Sequence, residues 1–362
     1  MIGLQQNSAP AACLITVNGK SIEDFHDYIR DVTVHLKRGA SATATILLDT
    51  FRDERGQWSV QDSGKFHPWD EIMISAVFAQ HSEEEVMRGV IRELRVEYPQ
   101  DMSGAQVTIE VQDDLIKLDR EQLHAVLSSE GNEKTDGQIA RELADEVGLQ
   151  HEMFEEGLTA GALHIDSTPI RLLRQRAEAN GFELYTRKGM LYFGSPQLSA
   201  VPQKTILVYA GPTTNCTQFS IQNDGHKPDQ VRMTREPKNQ QEKSFPAPVF
   251  QPEQHLLGRH ALTSEGRDLL PFTWTLDRPL AASQAEAESR AQAKANENQF
   301  KIKATGQLDG TLYGHVLWPY RPVEIDGVGN TYGGVYYVDE VTHNFTASGY
   351  LQHFTVIRNA TN

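Results

Sequence analysis

Polar and apolar positions alternate through the first 112 residues, in short runs separated by turn residues. The run "DVTVHLK" sends Val32, Val34 and Leu36 to one face and Thr33, His35 and Lys37 to the other. A period of two is the signature of a half-buried strand. "CLITV" ends at Asn18-Gly19, a pair that tolerates positive φ and so favours a tight hairpin turn. "SATATILL", "IMISAVFA" and "VIRELRVEY" follow as further strands, and "AQVTIEVQ" turns Val107, Ile109 and Val111 inward. Short strands at this spacing predict a small antiparallel barrel or sandwich over residues 1–112.

The period then changes. "TDGQIARELADEVGL" carries Ile139, Leu143 and Val147 four residues apart, which predicts a helix. Thr135 and Gln138 have capping-box spacing at its start, and Gly148 is placed to stop it. In "TPIRLLRQRAEANG", Thr168 is the expected cap, Pro169 takes the first helical position and Asn180-Gly181 ends the helix. Ile170, Leu173 and Ala177 form its inner face, and "FELYTRKGMLYFG" predicts a hairpin turning at Lys188-Gly189. Residues 113–203 therefore predict a small α+β domain.

The strand pattern returns with "TILVYAG", "CTQFSIQND" and "DQVRMTRE". "REPKNQQEKSFPAPVFQPEQ" predicts an extended connection, and "SQAEAESRAQAKANENQF" an Ala-rich, closely packing helix with a capping box at Ser283 and Glu286. Residues 204–237 and 313–362 are expected to form a second barrel, with 238–312 as an insertion carrying the helix. The chain closes on "YYVDEVTHNFTASGYLQHFTVIRNA", two strands joined at Ser348-Gly349.

Composition narrows the function. A net charge of −15 over 362 residues disfavours binding to phosphate backbones. It also suits a channel through which acidic cargo passes without sticking. Two distant cysteines, Cys13 and Cys216, form neither a zinc knuckle nor a disulfide framework, which fits a reducing cytosol. Cys13 lacks the basic and apolar segments of a lipoprotein signal, and the longest apolar run, Ile72–Ala79, is too short to span a bilayer.

Catalytic signatures are thin. Gly19-Lys20-Ser21 has Leu14 where a phosphate-binding loop needs glycine. His151 opens "HEMFE", where a zinc-protease helix would need a second histidine at Glu155. The loop "SSEGNEKTDG" holds glutamates, but no acidic pair is marked out for glycoside hydrolysis. His343 and His353, one in each closing strand, invite a metal or proton-shuttle reading. Without a third ligand or a nearby cysteine, two rings packed on a barrel wall explain them better. Arg358-Asn359 fits a pair pinning the last strand to its neighbour.

The order of parts resembles the baseplate hub family of contractile tails: phage late-control D proteins, myophage central hubs and the amino-terminal part of type VI secretion spike proteins. The stretches that carry the resemblance are residues 168–194, the helix 283–300, and Tyr337, Val338, Val341, His343, Gly349, Tyr350, Val356, Arg358 and Asn359 in the closing hairpin. The resemblance implies a mainly β chain with two small barrels related to tail-tube barrels, an α+β domain and a helical, extended insertion. It implies no enzyme, no cofactor and no metal, and makes the hairpin residues structural. It further implies a homotrimer whose six barrels form a ring around a channel, a symmetry adaptor between unlike partners. Those partners would be a hexameric tail tube or tube initiator, a separate trimeric spike and baseplate wedge proteins, with no membrane and no sequence-specific nucleic acid. Synthesis in a bacterial cytoplasm and assembly into a virion tail or tail-like particle follow. Because residue 362 comes directly after the hairpin, no spike or lytic domain is expected within the chain. A tail-associated cell-wall hydrolase and a carbohydrate-binding β-module are the alternative readings.

Overall fold

The computed structural model describes residues 11–79, 83–100, 104–234, 248–263, 269–276 and 283–362. The expected Pro- and Gln-rich connection lies mostly outside them. Thirteen strands join in one hydrogen-bonded sheet. Seven come from the first third: β1 (Ala12–Val17), β2 (Lys20–Ser21), β3 (Ile29–Lys37), β4 (Thr43–Thr50), β5 (Glu71–Val77), β6 (Glu83–Glu97) and β7 (Ala105–Asp113). Six come from the later chain: β8 (Gln203–Leu207), β9 (Cys216–Asn223), β10 (Ile302–Asp309), β11 (Pro322–Asp326), β12 (Gly334–Thr346) and β13 (Gly349–Arg358). Asn18 and Gly19 both adopt positive φ, as the turn between β1 and β2 requires.

The two halves repeat one another. The first has the order β1-β5-β6-β7-β4-β3, the second β8-β11-β12-β13-β10-β9. Each central hairpin carries a bulge at the same place: at Arg92, between the pairs Ile91–Val111 and Glu93–Glu110, and at Asp339, between Val338–Val356 and Glu340–Thr355. A second bulge also recurs, at Arg30 in β3 and Thr217 in β9. Before β5 and β11 stands a Pro-aromatic pair whose aromatic residue has positive φ, Trp69 at 75° and Tyr320 at 64°. The amide of Trp69 donates to Ile91 O and that of Tyr320 to Val338 O, just before the bulge in each half. One departure is direction: β1 runs antiparallel to β5, whereas β8 runs parallel to β11.

Each half curls around its own core. The first encloses Val32, Val34, Ile46, Ile74, Ile91 and Ile109, with Trp318, Phe345 and Tyr350 contributed by the second half. The second encloses Ile206, Ile302, Leu308, Tyr313, Ile325, Val341 and Val356. The two barrels share a wall. β3 pairs with β12 from Asp31–Thr346 to Lys37–Glu340, so the sheet runs unbroken from one half into the other. β10 falls within 238–312, so this stretch supplies a strand to the sheet: Ile302, Ala304 and Leu308 face the second core. Gln230–Met233, placed in the sequence with the second barrel, instead pairs with Val249–Phe250 and Thr273–Leu276.

Between the halves stands an α+β unit with helices α1 (Asp136–Glu146) and α2 (Pro169–Asn180). The capping box of Thr135 and Gln138 is present. At α2 the Thr168 side chain makes no cap; its carbonyl instead accepts the amides of Arg171 and Leu172. Gly181 ends α2 at φ 67°, where an added Cβ would come within 3.0 Å of Ala293. That contact is with α3 (Gln284–Asn298), whose Ala287, Ala291 and Ala295 are buried against Val231 and Met233. Ser283 caps α3, but Glu286 turns away from a capping box to meet Arg290 and Arg176.

Candidate functional site

The family-motif residues of the closing hairpin do not converge on one site. Val338, Val341 and Val356 are fully buried in the second core. His343 corresponds to Val96 of the first half, counting outward from the bulge, and takes an apolar position. Its Nδ1 is 2.8 Å from the Tyr350 hydroxyl, and Tyr350 stacks on Phe345 with ring centroids 4.1 Å apart. Gly349 makes the turn at φ 127°. Burial pulls the His343 imidazole down to about 3 from its usual 6.5, so it is neutral in the fold. His353 sits opposite Thr342 on the other face of the hairpin, which removes the paired-histidine reading. Among the described residues, no group of three or more His, Cys, Asp or Glu is placed to hold a metal.

Substituting His343 by alanine is expected to cost a few kcal/mol at neutral pH through lost packing. A proton that the unfolded chain binds below pH 6.5 is refused by the fold until about pH 3, so this histidine makes stability fall as pH falls across that window. Urea titrations at several pH values should show a shallower acid slope in the variant.

Tyr337, Arg358 and Asn359 tie strands to other parts of the chain. The Tyr337 hydroxyl donates to Glu183 Oε2 at 2.8 Å. Glu183 Oε1 accepts from Arg38 Nε at 2.8 Å, and Arg38 also reaches Asp339 at 3.1 Å and Glu297 at 3.6 Å. One guanidinium thus joins the end of β3, the α+β unit, α3 and the Asp339 bulge of the second half. Burial pushes the Glu183 carboxyl up, opposed by Arg38 and by the Tyr337 hydrogen bond. Arg358 is fully buried and donates to the carbonyls of Leu257 and Gly333 and to Asn362 Oδ1. Asn359 accepts the Leu257 amide and donates to His255 O. The pinning expected of Arg358-Asn359 is present, and its partner is the segment 255–259.

The sheet's outer face is the broad surface of the molecule. Rows of polar side chains cross it from one half to the other. One row runs Gln218, Gln307, His353, Thr342, His35 and Thr43; another runs Ser220, Thr305, Thr355, Glu340 and Lys37. Where the halves meet, His35 Nδ1 lies 3.1 Å from Thr342 Oγ1 and Lys37 Nζ lies 3.2 Å from Glu340. Over β9, β10, β12 and β13 this face is hollowed into an open trough of about 410 Å³. Hydroxyls and amides dominate it, with few charges of either sign. Sequence reasoning missed the Arg38 network, whose members lie far apart in the chain; it expected two similar barrels through the resemblance but not their residue-by-residue correspondence, for which the Pro-aromatic pairs in "HPWDE" and "WPYRP" are a signal.

A family model described as the Alg8 N-terminal domain matches residues 7–347. Compared by sequence with curated proteins, the chain matches none. Among solved structures it resembles the 43 kDa tail protein of prophage MuSo2 from Shewanella oneidensis, with 12% identity, a TM-score of 0.67 and coverage of 97% of this chain and 100% of that one. It resembles a tail protein from Neisseria meningitidis at 13% identity and TM-score 0.67, covering 97% of each chain. It also resembles the E. coli c3393 protein, described as a type VI secretion system component similar in structure to the T4 bacteriophage tail proteins gp27 and gp5. There the identity is 11%, the TM-score 0.57 and the coverage 95% of this chain and 76% of that one. At these identities the likeness is one of fold, and it agrees with the fold implied by the hub resemblance. The family match spans nearly the whole chain: the protein belongs to the Alg8 N-terminal domain family, on a mainly β fold shared with phage tail proteins.

Proposed function

We propose that the chain is a structural baseplate hub of a contractile tail or related injection system, without catalytic activity. The observation that carries this reading is the internal repeat: one chain presents the same strand order and the same bulges twice. Three such chains present six similar units, so a homotrimer can face a six-fold tube on one side and a three-fold spike on the other. On this reading the two barrels and the α+β unit between them are the units of the hub, with β10 belonging to the second barrel and Gln230–Met233 to the small sheet packed on α3. Tube, spike and wedge proteins are its partners, and the tail or tail-like particle assembled in a bacterium is its location. Among the described residues, no helix is long and apolar enough to cross a membrane, which fits such a particle.

The trough over β9, β10, β12 and β13, with few charges, fits a channel lining that neither holds nor repels its cargo strongly. The acidic excess of the chain then belongs to its solvated exterior. The remote hairpin positions, Tyr337 to Asn359, act in this reading as ties within and between the repeats.

Electron-microscopy class averages of the purified protein, with mass from light scattering on the same sample, test the proposal. Six similar lobes around a central hole, in a particle of three times 40.6 kDa (about 122 kDa), are expected. A particle of another symmetry, or clearing of a peptidoglycan suspension, would overturn it.

A further inference from the structure

The wall shared by the two halves leaves two strand edges unmatched. β3 of the first half pairs with the later part of β12, residues Glu340–Thr346, beyond the stretch that pairs with β11. In the second half the strand equivalent to β3 is β9. Among the described residues, β9 pairs with β10 alone. In the first half the strand equivalent to β12 is β6, whose residues Glu83–Val90 pair with β5. Beyond the bulge, Glu93–Glu97 pairs with β7 on one side and with no described strand on the other. The chain therefore contains one copy of an edge contact and both halves of a second.

The side chains on these edges agree. Across the internal contact Val32, Val34, Val341 and His343 are 0% exposed and Phe345 is 6% exposed. Their counterparts Phe219, Ile221, Leu94 and Val96 are only half-buried, and Tyr98 is 56% exposed. The edge β9, "CTQFSIQN", contains no charge, proline or glycine. Free edges usually carry such residues to prevent strand addition.

We propose that β9 of one copy adds antiparallel to Glu93–Tyr98 of a second copy of this chain, reproducing the β3–β12 contact between chains. The internal register transfers residue by residue. Val34 opposite His343 becomes Ile221 opposite Val96, and His35 opposite Thr342 becomes Gln222 opposite Arg95. Phe219 then lies opposite Tyr98, an aromatic pair of the kind that stabilises antiparallel sheets. The contact is head to tail, so it builds a ring when the rotation closes and a filament when it does not. Closure at three copies rests on the hub reading; the edge contact itself rests on the repeat.

The test is the full chain carrying both Arg95→Cys and Gln222→Cys, oxidised in solution. The equivalent internal residues His35 and Thr342 are directly opposed in an antiparallel pair, a placement whose Cα atoms stand roughly 4.5–5.5 Å apart, within the range a disulfide spans. A covalent ladder ending at the trimer is expected from the double variant, with none from either single variant or from Arg95→Cys with Ser220→Cys. Val96→Lys, at an edge position that is half-exposed in the single chain, should leave a folded monomer that no longer assembles. A trimer without the disulfide would overturn the edge contact and spare the hub reading. A ladder running past the trimer would uphold the contact and sink the closed ring. A monomer without crosslinks at the highest attainable concentration would overturn the contact.

Discussion

Replacing Arg38 with alanine is expected to lower the unfolding free energy by about 3–5 kcal/mol, the cost of leaving a buried charge without its partner. The partner is Glu183, buried and held by Arg38 Nε and the Tyr337 hydroxyl. Arg38 also stacks over Tyr337, 5.4 Å from the ring centroid, so packing is lost along with charge. Burial already pushes the Glu183 carboxyl up, and Arg38 opposes that shift. Without Arg38 the fold favours the protonated carboxyl more strongly. A raised carboxyl makes stability fall as pH rises, so the loss should be smaller in mild acid than at pH 8. The double variant Arg38→Met with Glu183→Gln removes both charges and keeps an acceptor for Tyr337. It should recover most of the loss, because a buried ion pair is worth little against neutral groups of similar size. Urea midpoints of the two single variants and the double variant would check this. Additive losses would show that the two residues act independently.

Arg358→Ala is expected to cost a similar amount, about 3–5 kcal/mol, by a different route. Its hydrogen bonds go to carbonyls, and among the described residues no carboxylate pairs with it. Truncation leaves the buried Leu257 carbonyl without the Arg358 donor, at roughly 1–3 kcal/mol, while the half-buried Gly333 carbonyl keeps the Asn362 side-chain amide. It also removes the guanidinium stacked over Tyr336, 5.2 Å from the ring centroid. Arg358→Lys should recover little, since an ammonium cannot reproduce the forked geometry. The loss should be local as well as global. The Leu257 amide donates to Asn359 Oδ1 and the Arg259 amide to Thr361 O, so hydrogen exchange at both should rise first. Unchanged protection at these amides would show that Arg358 does not hold this segment.

Local structure was legible in the sequence where one physical rule acted over few residues. Val32, Val34 and Leu36 alternate because one face of β3 is buried and the other is wet. Asn18-Gly19 and Lys188-Gly189 turn because both members of each pair adopt positive φ, at 48° and 74° and at 51° and 74°. Thr135 and Gln138 cap α1 because helix ends leave amides unsatisfied within a single turn. Thr168 shows the limit of such rules: the residue type is right, yet its carbonyl rather than its side chain receives the amides. His343 shows another limit. A histidine in a terminal strand reads as chemistry, but its place in the repeat is that of Val96, and the environment holds it neutral.

Strands, turns, helix caps and the mainly β class were determined by the sequence itself, through hydrophobic period and backbone preference. The expectation of a structural hub rather than an enzyme came from the resemblance in the order of parts. The tertiary structure alone decided which strands are neighbours. It joined β3 to β12, placed β10 in the sheet, gathered Arg38, Glu183, Glu297 and Asp339 around one buried charge, and, among the described residues, left one edge of β9 and one edge of the end of β6 without a partner strand. The physical reason is that an isolated strand presents the same row of amides and carbonyls to any partner. Its choice is settled only when the side chains of distant segments fill one core together, and no short window of sequence contains that competition.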